Sequence, residues 1–370
     1  MKIDQIHFYV DNASQWRNWF ISHMGFQAIA SGDSDANTLL EVVKSGKAEF
    51  LLYSAKNGKS PVANYLRHHP PGVAAVTFEL SQLEQDLPQL LHSEVRLLQP
   101  LQTIKTDGGC LKWCQILGIT GLIHTLVERQ GTTPLVPSLP QWVQKSPVTP
   151  TQGQYFTGID HLVLNVAQGA LNSTVQWYER TFSWQRKQSF SIATSYSGLH
   201  SQVLVSSGGE VQFPINEPSS DNSQIQEFLD FNRGAGIQHI ALSTPNVTDV
   251  TLKLKALGVS FLRVPETYYT QLQERFRSLP FSEAEWATIQ NAQVLVDCEA
   301  QRMDSSTANQ SGMPLLLQIF TQPIFEKPTF FFELIERRDR ARGFGEGNFR
   351  ALFAAIEREQ QKRESRSDRE

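Results

Sequence analysis

The sequence predicts an α+β protein of four βαβββ modules paired into two similar, barrel-like halves. Three observations lead there. Apolar stretches with strand-like alternation are each followed by an amphipathic helix and then by more strands, and this order recurs four times. The last two rounds can be laid on the first two, motif upon motif. A proline-dense stretch separates the pairs.

The first round opens with IDQIHFYV (3–10) and the helix QWRNWFISHMGFQ (15–27). The second opens with GVAAVTFEL (72–80) and closes on HTLVERQ (124–130). Next comes TTPLVPSLPQWVQKSPVTPTQGQYFTG, holding Pro134, Pro137, Pro140, Pro147 and Pro150. Proline at that density blocks helix interiors and central strands, which predicts a linker laid along a surface. The expected domains are therefore 1–150, including the linker, and 151–370. The third round begins at GIDHLVLNV (158–166) and continues through a helix over 173–185, with Val175, Trp177, Tyr178 and Phe182 at helical spacing. Strands HSQVLVSS (200–207) and EVQFPIN (210–216) follow. The fourth runs from GIQHIALST (236–244) through the helix VTDVTLKLKALGV (247–259) to LLLQIFT (315–321) and TFFFELIERR (329–338). The charged end EREQQKRESRSDRE should fray.

Composition narrows the function. The chain has 370 residues, 40% hydrophobic content and a net charge of −4, enough for two buried cores. Its charges are interspersed, so no basic stripe offers itself to nucleic acid or to an anionic membrane. Three cysteines, Cys110, Cys114 and Cys298, are too few for a disulfide framework and suit a reducing compartment. Cys110 and Cys114 lack a second ligand pair at zinc-site spacing and read as buried thiols. The start, MKIDQIHFYV, has no basic leader and no apolar run reaches membrane-spanning length, so a soluble, cytoplasmic protein is expected. A homo-oligomer is left open.

The comparison of halves carries the chemistry. His161 falls on Gln5, His239 on Ala75 and Glu333 on Thr125. Each residue of the second-half set sits mid-strand among apolar neighbours: Ile159 and Val163, Ile237 and Ala241, Phe331 and Ile335. One such histidine alone reads as a hydrogen-bonded core imidazole. Three together, absent from the half that folds without them, read as a metal site, because a buried carboxylate without a partner is expensive. Two imidazoles and one carboxylate leave positions open on the ion, the arrangement of non-haem Fe(II) oxygenases. Zinc or manganese could use the same ligands.

The last third is rich in phenylalanine. Phe344 and Phe349 lie in GFGEGNF (343–349), where three glycines lead into FRALFAAIEREQ (349–360). A glycine-hinged helix after the final ligand strand suits a gate that keeps water from a reactive centre. The plainer reading is a helix docked on the barrel.

GIDHLVLNV, QFPINEP (212–218), SQIQEFLDFNRGAGIQHIAL (223–242), PETYY (265–269), LLLQIFTQP (315–323), FFFELIERR (330–338) and GFGEGNFRALF (343–353) together resemble the 4-hydroxyphenylpyruvate dioxygenase family of the vicinal oxygen chelate superfamily. The resemblance is weak over 1–150 and close from about 156 to 360. It implies two vicinal-oxygen-chelate domains, with the metal in the second only, and a C-terminal gating helix. It implies that His161, His239 and Glu333 hold Fe(II), that Ser201, Asn216, Gln224 and Gln318 form the polar side of the substrate site, and that Phe320, Phe332, Phe344, Asn348 and Phe349 line its aromatic side. On the residues alone, Gln224 and Asn216 read as turn or helix-start residues. Trp184, His200 and an apparent insertion over 299–312 depart from the family pattern.

The implied reaction takes 4-hydroxyphenylpyruvate and dioxygen to homogentisate and carbon dioxide, in tyrosine breakdown or the supply of prenylquinone precursors. The rivals are hydroxymandelate synthase, which shares ligands and substrate, an extradiol ring-cleaving enzyme, and a metal-free binding protein of the same fold. The extradiol enzyme would want one more histidine beside the metal, and His200 is the only other in the second half.

Overall fold

The computed structural model describes residues 1–133 except 94, then 135–136, 154–275 except 195, 280–298, 313–345, and Asn348, Phe353, Ile356 and Gln360. The boundary expected near residue 150, the 299–312 stretch and Phe349 lie outside the described residues.

The first half runs β1 (Lys2–Tyr9), α1 (Ala13–Met24), β2 (Gln27–Asp35), β3 (Thr38–Ser45), β4 (Ala48–Ala55), α2 (Pro61–His68), β5 (Gly72–Glu79), α3 (Leu83–His92), β6 (Arg96–Thr106), β7 (Gly109–Leu117) and β8 (Ile123–Gly131). The second runs β9 (Gly158–Asn165), α4 (Leu171–Phe182), β10 (Gln185–Ala193), β11 (Gly198–Val205), β12 (Gln212–Pro218), α5 (Gln224–Asn232), β13 (Gly236–Ser243), α6 (Val247–Ala256), α7 (Glu266–Arg275), α8 (Glu283–Ala292), β14 (Leu295–Cys298), β15 (Leu315–Phe320) and β16 (Phe331–Arg338). Each half is one curled eight-stranded sheet, ordered β2-β3-β4-β1-β5-β8-β7-β6 and β10-β11-β12-β9-β13-β16-β15-β14. The four βαβββ modules are thus present, and strand for strand the two sheets are the same.

Local chemistry is repeated too. α2 and α5 start from serine caps, the Ser60 and Ser223 hydroxyls accepting from Val62 and Ile225 amides. α1 is capped by Asn12 and stopped by Gly25, whose φ of +68° and contact with the Tyr155 ring leave no room for a Cβ.

One apolar core joins the halves. Phe8, Phe20 and Phe50 of the first meet Phe325, Phe330 and Phe332 of the second, and Phe50 stacks on Phe332 with ring centroids 5.8 Å apart. His124 lies among Trp177, Tyr178 and Phe182, its Nε2 3.0 Å from the Tyr178 hydroxyl. The linker's first residues are not wholly at the surface: Val136 is buried in the cup of the first sheet with Leu40, Leu51 and Tyr53. The three cysteines are free, and burial pushes the Cys114 thiol up to about 12. No helix among the described residues is long and apolar enough to cross a membrane.

Candidate metal centre

β9, β13 and β16 are consecutive in the second sheet. Ala241 on β13 pairs with His161 on β9 and with Glu333 on β16, so those two side chains rise on either side of a methyl group. His239 lies two residues earlier on β13, on the same face. Strand geometry therefore brings the three together: His161 Nε2 is 3.2 Å and His239 Nε2 3.6 Å from Glu333 Oε2. All three residues are buried, with one ligand atom from each within 4.8 Å of the others. In the first sheet the same register puts Thr77 between Gln5 and Thr125, with Ala75 in the position of His239.

Neighbours aim the three donors. Asp160 Oδ1 lies 2.8 Å from His161 Nδ1, which fixes the proton there and turns Nε2 inward. Arg337 holds Asp160 by two hydrogen bonds of 2.7 Å. Gln318 donates to Glu333 Oε1 at 2.8 Å, leaving Oε2 toward the imidazoles. Burial would raise the Asp160 carboxyl, but Arg337 and His161 hold it below the usual carboxylate range. Burial would likewise strip His161 of its second proton; Glu333 and Asp160 outweigh it and push the group up to about 9. His239 is pushed well below its ordinary value by burial and by the neighbouring His161 charge. A cation at the three donors would replace that proton as the counter-charge to Glu333. Two imidazoles, one carboxylate and partners on their outer sides fit a divalent transition metal, and His161, His239 and Glu333 can hold one.

The three donors open into a cavity walled by Phe320, Phe331, Phe344 and Phe353, with Asn216 and Gln224 on its polar side. Phe331 stacks on His239 at 4.7 Å, and Phe344 meets His161 edge-on at 5.3 Å. Gln224 Oε1, Ser201 Oγ and Asn165 Nδ2 are buried without a protein hydrogen-bond partner. Groups kept in that condition await a polar ligand or water.

Residues 158–283 match the Glyoxalase/Bleomycin resistance protein/Dioxygenase superfamily. The chain is 34% identical to a 4-hydroxyphenylpyruvate dioxygenase of Dictyostelium discoideum, covering 97% of this chain and 98% of that one. The chain belongs to the 4-hydroxyphenylpyruvate dioxygenase family. An uncharacterized protein of Synechocystis is 33% identical, with 96% and 97% of the two chains covered. A mutant of 4-hydroxymandelate synthase from Streptomyces coelicolor superposes with a TM-score of 0.80 at 25% identity, over 97% and 98% of the two chains.

The dioxygenase-family residues expected from sequence divide into four groups. His161, His239, Glu333, Asn216, Gln224, Phe320 and Phe344 all line the cavity. Ser201 pairs across β11 and β12 with Asn216, and Asn216 donates to Asn165 at 3.3 Å. Gln318 and Asn348 stand behind the wall: Gln318 bonds Glu333 and the Phe344 carbonyl, and Asn348 donates to Gln318 at 3.0 Å and accepts from Tyr268 at 2.8 Å. Phe332 is elsewhere. It points to the opposite face of β16, into the aromatic core with Phe20, Phe50 and Phe330, and its neighbour Phe331 takes the cavity position. Alternation from Glu333 gives that assignment directly. His200 is exposed and paired with Ser191, away from the ligands. Sequence reasoning missed Gln238 and Phe353 on the wall, and Asp160 and Arg337 behind His161.

Proposed function

We propose that this protein is an Fe(II)-dependent dioxygenase that converts 4-hydroxyphenylpyruvate and dioxygen to homogentisate and carbon dioxide, serving tyrosine breakdown or the supply of prenylquinone precursors. The observation that carries the reading is the convergence of His161, His239 and Glu333 beneath an aromatic cavity in a chain of this family. Fe(II), when bound, supplies the redox chemistry that lets dioxygen react with a 2-oxo acid. The substrate brings its own 2-oxo acid, so no second keto acid is needed; its carboxyl group leaves as carbon dioxide, and both oxygen atoms taken up stay in homogentisate, one in the new ring hydroxyl and one in the side-chain carboxylate.

The residues of the chain do the rest. His161, His239 and Glu333 take one side of the ion and leave the other to substrate and dioxygen. Phe331, Phe320 and Phe344 accept the ring. Gln224 and Ser201, whose buried oxygens have no protein partner, hydrogen-bond its polar ends without adding charge. Phe353 and Ile356 close the far wall and keep bulk water out.

Hydroxymandelate synthase is the second reading, favoured by the structural likeness to that enzyme. The two share ligands and substrate and differ in which carbon is hydroxylated, a choice made by pocket contacts. Anaerobic loading with Fe(II), followed by 4-hydroxyphenylpyruvate and dioxygen and identification of the product, tests both. Homogentisate is expected; hydroxymandelate would move the protein to the rival, and no turnover would leave a binding protein of this fold.

A further inference from the structure

Arg337 touches two things that have no other reason to be linked. Its Nε and Nη2 grip Asp160, whose other contact is His161 Nδ1. Its Nη1 donates to the carbonyl oxygens of Gly343, at 2.6 Å, and Ala341, at 3.2 Å. These residues begin the stretch that places Phe344 against His161 and Gly345 against Gln318. Gly345 has φ +75°, and a Cβ on it would lie 2.0 Å from Gln318 Oε1, so this stretch is closely seated.

The first half supplies an independent observation. Arg129 occupies the position of Arg337, with Thr125 aligned to Glu333, and Asp4 occupies that of Asp160. The pair is made there as well: Arg129 Nη2 lies 3.0 Å from Asp4 and 2.9 Å from the carbonyl oxygen of Leu135, in the stretch that follows β8. Gln5, in place of His161, donates to the same carbonyl at 3.0 Å. An aspartate–arginine–carbonyl clamp that seats the stretch after the last strand is thus a device of the fold, present where there is no metal set. In the second half a metal ligand hangs from it.

We propose that Arg337 is a positioning residue that couples the orientation of His161 to the seating of residues 341–345 over the cavity. When the stretch is seated, Arg337 is fixed from one side and holds Asp160, and through it the His161 ring, in the ligating pose. When the stretch lifts, the guanidinium loses its carbonyl partners and the aspartate its rigid support. Coupling of this kind is reciprocal: a metal on His161 favours the seated stretch.

The inference rests on the metal reading above, and the test separates the two. Co(II) affinity, proteolysis within 339–345 with and without saturating Co(II), and thermal midpoint are measured for the intact chain, Arg337→Gln, Asp160→Asn and Arg129→Gln. Failure of the intact chain to bind Co(II) would remove the metal reading itself. In the intact chain the metal should slow cutting several-fold. Arg337→Gln should be cut faster, lose the metal-dependent protection and bind Co(II) about 10–100-fold more weakly, the range for partners behind metal ligands. Asp160→Asn should lower affinity without changing cutting in the absence of metal. Arg129→Gln should lower the midpoint and leave affinity and protection intact. Should Arg337→Gln not fold, Arg337→Lys keeps the charge but cannot span aspartate and carbonyls, and should lose the protection. Metal-dependent protection that survives in either Arg337 variant, or an equal loss of affinity in Arg129→Gln, would overturn the proposal.

Discussion

His161 and Glu333 stand on strands that are not paired with each other, yet their Nε2 and Oε2 atoms are 3.2 Å apart. The strand between them offers only Ala241 at that rank. The first sheet carries Thr77 there, and its flanking Gln5 and Thr125 do not form a donor set. Ala241→Val should therefore wedge the two ligands apart, weakening metal binding at least tenfold, with a folding cost of about 1–3 kcal/mol for overpacking. Metal titration beside denaturant unfolding checks it; unchanged affinity would show that the ligands do not need the small residue.

Metal should bind the second half alone. Analysis of the loaded protein is expected to give about one iron per chain. His161→Ala and Glu333→Ala should lose metal and turnover, while Gln5→Ala should keep full iron content. Two irons per chain would mean that Gln5, Ala75 and Thr125 do not mark a degenerate site.

The four modules and the convergence of His161, His239 and Glu333 are legible because both leave periodic traces: alternation places a residue on a face, and the two halves serve as each other's control. Where periodicity is weak, reading failed. β10 has a largely exposed, polar sequence at a sheet edge, with only Phe190 and Ile192 at alternate positions to reveal it. α7 and α8 have no counterpart in the first half to point to them, and β14 keeps only four residues at the sheet edge where β6 has eleven. Phe332 was assigned by resemblance although Glu333 beside it, on the opposite face, argued for Phe331. Asp160 and Arg337 form a pair that has no local signature in the sequence; the Asp4 and Arg129 repeat is the available signal.

Ser201 and Gln224 keep buried oxygens to which no protein group contributes a hydrogen bond. Ser201→Ala should therefore leave unfolding unchanged while lowering kcat/KM. Gln224→Ala should reduce transition-state stabilisation by about 1–3 kcal/mol, some 5–150-fold. Steady-state kinetics measured with thermal midpoints separates these effects; unaltered kinetics in both variants would return the two residues to a structural role.

His7 and His124 set an acid limit on folding. Burial pushes them down to about 4 and about 3, from 6.5. Both are neutral when folded and take up a proton on unfolding below about pH 6.5, so stability falls as pH drops from there toward the folded values. Each should cost about 2 kcal/mol by pH 5. His239 adds in the same direction when no metal is bound. His161 is raised, so its contribution is fully present below 6.5 and lost only as pH rises through about 9, outside this window. Urea midpoints at pH 7 and pH 5 should drop steeply in the intact chain and less so in His124→Gln; equal drops would show that the His124–Tyr178 contact does not govern acid sensitivity.

The strands that carry His161, His239 and Glu333 are held on both sides within the sheet, so admission of an aromatic 2-oxo acid falls to another wall of the cavity. The wall that can give carries Phe353 and Ile356, helical residues beyond the last strand, with Phe353 resting on Leu199, Ile225 and Phe228. Phe353→Ala should open that wall, losing aromatic contact worth about 0.5–1.5 kcal/mol beyond area burial. Substrate should still bind, but water should enter, so that more dioxygen is consumed than homogentisate formed. Deleting 343–370 should exaggerate this, because all three ligands remain while Phe344 and the Gly343 carbonyl held by Arg337 are removed. Oxygen uptake measured beside product yield decides it: a truncated protein as fast and as tightly coupled as the intact chain would show that the C-terminal stretch is a docked tail, and the cavity would then have to admit its substrate from another side.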